Sequence, residues 1–267
     1  MTDRYALIGH PVAHSKSPWI HAEFARATGQ DIEYQRIEAP LDGFARVAGE
    51  FRAAGGRGAN VTLPFKHQAF LYCRGEVGAR ARAAQVVNTL IFEDRGVRGE
   101  NTDGVGLLRD ITVNLGRAIA GKRVLLMGAG GAAQGVLGPL LGADPQRLVI
   151  ANRIAGKARA LAQRGGAAAG LGYDELGGAQ FDLLINATSA GLAGEAPPLT
   201  AAAFAPGALG YEMVYGRDTP FLVMARAAGA DACDGTGMLV EQAAESFLLW
   251  RGLRPDTAPV IAALRAR

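Results

Sequence analysis

Residues 122–153 read KRVLLMGAGGAAQGVLGPLLGADPQRLVIANR. An apolar strand runs into Gly128-x-Gly130-x-x-Ala133, a helical stretch follows, and a second strand ends in Asn152-Arg153. This is half of a dinucleotide-binding unit with its phosphate turn intact. The first glycine permits the tight strand-to-helix turn, the second lets backbone amides approach a pyrophosphate, and the small Ala133 lets the helix pack closely on the strand. The pattern gains its weight from lying between a strand and a helix. Where an NAD site usually offers a carboxylate to the ribose 2′-hydroxyl stands Arg153, which favours a 2′-phosphate and hence NADP. The competing reading is a glycine-rich turn in another α/β domain with a surface arginine nearby.

Working outward, 267 residues suffice for two domains. With 49% hydrophobic and 20% charged residues the chain is globular rather than disordered, and no apolar run reaches the length of a membrane span. The N-terminus enters a strand at Tyr5 without a signal peptide, and Cys73 and Cys233 cannot form a disulfide framework, so a cytoplasmic protein is expected. A net charge of +3 with scattered arginines offers no nucleic-acid patch. Neither nucleic acid nor membrane is an expected partner. A monomer and a homodimer both remain open.

Strands are expected at Tyr5 to Gly9, Ile32 to Ile37 and Ala59 to Thr62, with helices over Pro18 to Ala27 and Leu41 to Ala53; this βαβαβ run argues for a parallel sheet of its own. Val86 to Phe92 and Val97 to Gly99 read as a hairpin, and a helix runs from Asp103 towards Leu115. Further strands are expected at Phe181 to Asn186, Ala208 to Met213 and Ala230 to Cys233, with helices at Thr219 to Ala228, Leu239 to Trp250 and Val260 to Arg265.

Of the 28 basic residues only Lys16, Lys66, Lys122 and Lys157 are lysines. Arginine cannot serve as a proton donor, so a lysine kept in a polar loop is a catalytic candidate. Lys122 opens a strand and Lys157 lies on a helix, where charge is ordinarily solvated. Three polar clusters stand outside the scaffold. In the first, His10 to Pro18, Ser17 reads as an N-cap with Pro18 at the first helical position, while Ser15 has no such duty. Hydroxyls gathered after a parallel strand suit a carboxylate or hydroxyl ligand. His10 and His14 lack a third metal ligand nearby, and no metal is expected. The second cluster, Asn60-Val61-Thr62-Leu63-Pro64-Phe65-Lys66, reads equally as turn residues with a helix-start charge. In the third, Gly99 to Gly104, Asp103 also suits a helix N-cap. Asn88 is awkward within a hairpin strand and is better understood with its amide facing a ligand.

Together these segments resemble the shikimate dehydrogenases. Gly9-His10-Pro11, His14 to Pro18 and His21 open the pattern. Asn60 to Lys66, Val87-Asn88-Thr89 and Asn101-Thr102-Asp103-Gly104 follow in order, then the glycine turn, Asn152-Arg153, Asn186 to Ser189, Met213-Val214-Tyr215 and Asp234 to Ala244. Departures are Ala22, Glu212 and Ile154, where Asn, Asp and Thr are commoner, and a shorter stretch from Tyr215 to Thr219.

The resemblance implies NADP-dependent interconversion of 3-dehydroshikimate and shikimate by two α/β domains with a cleft between them. The N-terminal substrate domain, with a mixed or parallel sheet, would be discontinuous (1–103 and 238–267), and a Rossmann-type NADP domain would span 104–237. Lys66 and Asp103 would form the catalytic pair, and Ser15, Ser17, Thr62, Asn88, Tyr215 and Gln242 would hold shikimate. Gly128, Ala129, Gly130, Gly131, Ala132, Ala133, Asn152, Arg153, Lys157, Thr188, Ser189, Met213, Gly235 and Met238 would contact NADP. Reduction of a ring ketone needs hydride on one face and a proton at the developing alkoxide, a task that suits an ammonium group at Lys66. The rivals are a quinate or quinate/shikimate dehydrogenase, often using NAD, and a nicotinamide-nucleotide sensor without turnover.

Overall fold

The structure is a computed structural model describing residues 2–267. The chain divides into two compact units, Met1–Gly106 with Val240–Arg267, and Leu107–Leu239.

In the first unit β1 (Asp3–Gly9), α1 (Ser17–Thr28), β2 (Ile32–Glu38), α2 (Phe44–Ala53) and β3 (Gly56–Val61) alternate. Then come α3 (Lys66–Tyr72), α4 (Ala79–Ala84), the hairpin β4 (Thr89–Glu93) and β5 (Gly96–Glu100), and the start of α5 (Asp103–Arg109). The sheet order is β2-β1-β3-β4-β5, with β1 parallel to both β2 and β3. β3–β4 and β4–β5 are antiparallel. The sheet is therefore mixed: the βαβαβ run builds its parallel half, and the two-residue turn after Glu93 forces the last strand back. Ala6, Ile8, Ala59 and Val61 bury one face against Phe44, Phe51 and Phe65. On the other side of β1, Tyr5 stacks on Trp250 with centroids 4.6 Å apart. Period-2 alternation divides these residues between the two faces.

The second unit contains β6 (Arg123–Met127), α6 (Gly131–Gly142), β7 (Arg147–Ala151), α7 (Ala155–Gly165), β8 (Ala168–Leu171), β9 (Phe181–Asn186), β10 (Phe204–Glu212), α8 (Pro220–Ala227) and β11 (Asp231–Cys233). Its parallel sheet runs β11-β10-β9-β6-β7-β8. Val124 and Leu126 of β6 enter one core cluster, and Leu125 and Met127 the other. Both faces are buried, which is why these strands are continuous apolar runs. The order is that of a doubly wound nucleotide fold, with strand direction of travel reversing between β6 and β9. A ligand crevice is thus expected beyond the carboxyl ends of those two strands.

The chain changes unit within α5 and again within α9 (Thr236–Arg251), and ends in α10 (Ala258–Arg265). The expected helix from Asp103 is α-helical only to Arg109; Asp110–Asn114 is a π-helical turn. α2 begins at Phe44 rather than Leu41.

Candidate functional site

The first unit gathers a dense polar cluster. Lys66 opens α3 directly after the β3 loop, and its Nζ donates to Asp103 Oδ2 at 2.7 Å. The two side chains are 13% and 8% exposed, so this is not the solvated helix-start charge that the sequence also allowed. Asp103 opens α5, and its own N–H donates to Asn101 Oδ1 at 3.1 Å. Asn88 Nδ2 donates to Asp103 Oδ1 at 2.8 Å, leaving each carboxylate oxygen with its own donor. The N–H of Thr102 donates to Asn88 Oδ1 at 2.9 Å; because that N–H can only donate, it identifies which end of the amide is oxygen. Gln242 Oε1 accepts from Asn88 Nδ2 and from the Thr102 hydroxyl, each at 3.4 Å.

Asn88 lies one residue before β4, not inside it. Its N–H donates to the Glu100 carbonyl and its carbonyl accepts from the Val61 N–H, so it continues the ladder without occupying a regular strand position. That placement removes the conflict with strand preference that the sequence suggested.

The serine loop requires a correction. Ser17 is the first residue of α1, and the cap position falls on Lys16, without a side-chain capping bond; Pro18 is the second helical residue. The hydroxyl that accepts a helix-start amide is that of Ser15, 3.2 Å from the Ser17 N–H, and the two hydroxyls are also 3.2 Å apart. Proline fixes φ but donates nothing, so the first turn is served from the preceding loop. Arg36 on β2 clamps this loop, donating Nε and Nη2 to the Ser15 carbonyl at 3.0 and 2.6 Å. Thr62 follows β3, half-buried, with its N–H on the Ile8 carbonyl at 3.0 Å. Lys66, Asp103, Asn88 and Gln242 are thus joined by direct hydrogen bonds, and Ser15 and Ser17 form a pair. Tyr215 belongs to the second unit, following β10.

All the residues expected to contact NADP also lie in the second unit. Gly128 has φ +111°, a conformation open to glycine, and donates its N–H to the Ala151 carbonyl at 2.8 Å. Gly130 caps the 12-residue α6 in extended conformation without a side-chain capping bond. A Cβ at Gly130 would meet nothing within 4 Å, leaving the approach to the first helical amides of Gly131 and Ala132 open. Ala133 is fully buried against the strand. This is the form of a helix N-terminus that receives an anionic group. Asn152 folds the next loop by accepting from the Ile154 N–H at 2.9 Å. Arg153 is 73% exposed and lies 3.8 Å from Glu195. With Tyr173, Asp174 and Pro198 it lines a depression of about 390 Å³, and Lys157 is exposed on α7. Burial pushes the Tyr173 phenol up to about 12, with Arg153 opposing.

At the end of β9, Asn186 Oδ1 accepts from the Thr188 N–H and hydroxyl, while Asn186 Nδ2 donates to Glu212 Oε2 at 2.8 Å. Glu212 is fully buried and also accepts from Thr219 and from the Val214 N–H. Burial raises its carboxyl above the ordinary value, and these donors oppose the rise. A glutamate in place of the shorter acid therefore ties the loops carrying Thr188 and Met213. Ser189 is exposed, whereas Gly235 and Met238 are buried.

Sequence reasoning missed Tyr34, Thr89, Thr102 and Ser246, and weighed Asn60 only as a turn residue. All but Tyr34 are buried and polar, and all join the network behind Asn88. The available signal was a polar residue at Asn60 within a strand otherwise headed for burial. Among the described residues, no group of three His, Cys, Asp or Glu could hold a metal ion, and no helix is long and apolar enough to cross a membrane.

The shikimate dehydrogenase substrate-binding domain matches residues 7–90, the shikimate/quinate 5-dehydrogenase family residues 111–193, and the shikimate 5′-dehydrogenase C-terminal domain residues 235–265. A protein of Methylobacillus flagellatus named shikimate dehydrogenase (NADP(+)) is 56% identical over 269 residues, covering 99% of each chain. A solved structure of an Ael1 enzyme from Pseudomonas putida is 49% identical with a TM-score of 0.93, covering 98% of each chain. A shikimate 5-dehydrogenase from Thermus thermophilus, solved in complex with NADP(H) and shikimate, is 34% identical with a TM-score of 0.89 and 99% coverage of each chain. Matched along its whole length by relatives of that name, and carrying the doubly wound glycine turn and the lysine–aspartate pair just described, the chain belongs to the NADP-dependent shikimate dehydrogenase family of oxidoreductases.

Proposed function

We propose that this enzyme interconverts 3-dehydroshikimate and shikimate with NADP, using Lys66 and Asp103 to handle the proton. The observation that carries the assignment of roles is the ion pair itself: a lysine and an aspartate, 2.7 Å apart and nearly buried, with Asn88 on the second carboxylate oxygen. When bound, NADP supplies or accepts the hydride. Lys66 Nζ has three hydrogens and gives one to Asp103 Oδ2, so two remain for a substrate oxygen. In the reductive direction it donates a proton to the alkoxide oxygen as that oxygen gains charge; in the oxidative direction it takes the proton back. Asp103 fixes the direction of the ammonium group, and Asn88 fixes Asp103. Ser15 and Ser17 offer hydroxyls to a carboxylate, and Thr62 and Gln242 add polar groups for the ring.

The second unit serves the cofactor. Gly130 leaves room for a pyrophosphate at the α6 amides, and the exposed guanidinium of Arg153 beside its depression suits a 2′-phosphate. We place the enzyme in the cytoplasm on its cysteine usage: two cysteines, Cys73 and Cys233, in 267 residues give no disulfide framework. The test is steady-state oxidation of shikimate and of quinate, each with NADP and with NAD. NADP-dependent shikimate oxidation well above the other three combinations is expected. Preferential turnover of quinate, or none of either substrate, would overturn the assignment.

A further inference from the structure

Behind Asn88 a chain of buried side chains, entered from the half-buried Tyr34, crosses the first unit from strand to strand. Tyr34 on β2 donates its hydroxyl to Asn60 Oδ1 at 2.8 Å. Asn60 Nδ2 on β3 faces Thr89 Oγ1 at 3.1 Å, Ser246 Oγ at 2.9 Å and the Asn88 carbonyl at 3.3 Å. A carbonyl only accepts, so the Asn88 backbone requires the nitrogen end of the Asn60 amide on this side. The two hydrogens of that amide go to the nearer hydroxyls, Ser246 Oγ and Thr89 Oγ1, so the Thr89 hydroxyl's own hydrogen is left to point at Asn88 Oδ1, 3.0 Å away, at Ser246 Oγ, 2.9 Å away, or at Thr102 Oγ1, 3.5 Å away. Ser246 donates to the Gln242 carbonyl at 3.0 Å and is satisfied as an acceptor by Asn60. Asn88 Oδ1, which accepts from the Thr102 N–H with one lone pair, has its second for the Thr89 hydroxyl.

We propose that Asn60 and Thr89 are positioning residues for the reaction: a one-way relay, Tyr34 to Asn60 to Thr89 to Asn88, that holds the Asn88 amide with its nitrogen on Asp103. The inference rests on the reading of Lys66 and Asp103 as the catalytic pair. Its physical basis is that an isolated amide can rotate by half a turn at little cost in shape. Such a rotation at Asn88 would set a carbonyl oxygen against the Asp103 carboxylate and a nitrogen against the Thr102 N–H. Thr89 and Asn60 are 0% and 5% exposed, so water does not compete for their groups, and the relay strengthens the preference for the orientation that Thr102 begins.

The decisive variants are Thr89→Val, which keeps the shape and removes the hydroxyl, and Thr89→Ser, which restores it. Thr89→Val is expected to lower kcat for shikimate oxidation roughly 10- to 100-fold while leaving the KM for NADP within about 2-fold, the loss that follows from misplacing a reacting group slightly. Thr89→Ser should recover most of it. Asn60→Asp, near-isosteric, should reproduce the loss if Thr89→Val folds poorly, and the double variant should be no slower than the slower single one, because both act through Asn88. In the resting protein, the side-chain amide resonances of Asn88 should shift in Thr89→Val and return in Thr89→Ser. Wild-type kcat in Thr89→Val, equal impairment in Thr89→Ser, or losses that multiply in the double variant would overturn the proposal. If the wild-type enzyme failed to oxidise shikimate the functional reading would fall, while unmoved Asn88 resonances in Thr89→Val would overturn the relay by themselves.

Discussion

His21 makes the stability of this enzyme sensitive to mild acid. Its ring is fully buried, stacked on Tyr34 with centroids 4.2 Å apart and planes 8° from parallel, with Trp250 at 5.4 Å and Phe24 at 6.0 Å. Neither ring nitrogen has a hydrogen-bond partner; the Asn60 amide lies near enough to oppose the effect of burial without forming a bond to the ring. Burial disfavours the imidazolium and lowers the folded-state pKa from 6.5 to about 3. Between those two values the unfolded chain binds a proton that the folded protein refuses, so stability is complete above pH 6.5 and is lost as the pH falls towards 3. At about 1.4 kcal/mol per pH unit, this one group removes roughly 2 kcal/mol by pH 5, and on the order of 5 kcal/mol by pH 3. For a chain of this size 2 kcal/mol corresponds to roughly 4 to 8 °C in Tm. His21→Phe keeps an aromatic ring against Tyr34 and cannot titrate. Calorimetric melts of both proteins at pH 7, 6 and 5 isolate the effect, since the carboxylates are common to both. The wild type should lose about 2 kcal/mol more than the variant between pH 7 and 5. Parallel acid limbs would refute the burial argument.

The other perturbations address the site directly. Lys66→Ala should reduce kcat by roughly 10² to 10⁴ with NADP binding nearly unchanged. Because it strips a nearly buried carboxylate of its charged partner, it should also cost about 3 to 5 kcal/mol, so rates must be taken well below its melt. Lys66→Arg keeps the charge but not the ability to surrender a proton, and near wild-type kcat in that variant would show that charge alone suffices. Arg153→Ala should raise the KM for NADP at least 10-fold while moving that for NAD little, measured with shikimate saturating; equal losses would remove Arg153 from cofactor selection. Ser15→Ala and Ser17→Ala should both raise the KM for shikimate. Only Ser15→Ala should also lower Tm appreciably, by the equivalent of about 0.5 to 1 kcal/mol, because the Ser15 hydroxyl receives the Ser17 N–H. Equal melts with unchanged KM values would return both serines to structure.

The nucleotide-binding unit was legible in the sequence because its determinants are local. The turn after Met127 needs a glycine where φ is +111°, the strands sealed on both faces need unbroken apolar runs such as Val124 to Met127, and the helix needs a small residue at Ala133. Each requirement is met within a few residues of chain, so each leaves a pattern in order. The same holds for Lys66, set apart as a lysine in a chain that writes its charge as arginine. Tertiary structure decided who faces whom. Lys66 and Asp103 are 37 residues apart, and Asn60 and Ser246 are 186 apart, yet each pair is within 3 Å. The exchange of capping roles between Ser15 and Ser17, the turn from a parallel to a mixed sheet at β4, and the exclusion of partners from His21 likewise depend on strands and helices brought in from elsewhere. A donor in a sequence carries no address for its acceptor. That address exists only once burial removes water as the alternative partner, and burial belongs to the folded chain as a whole.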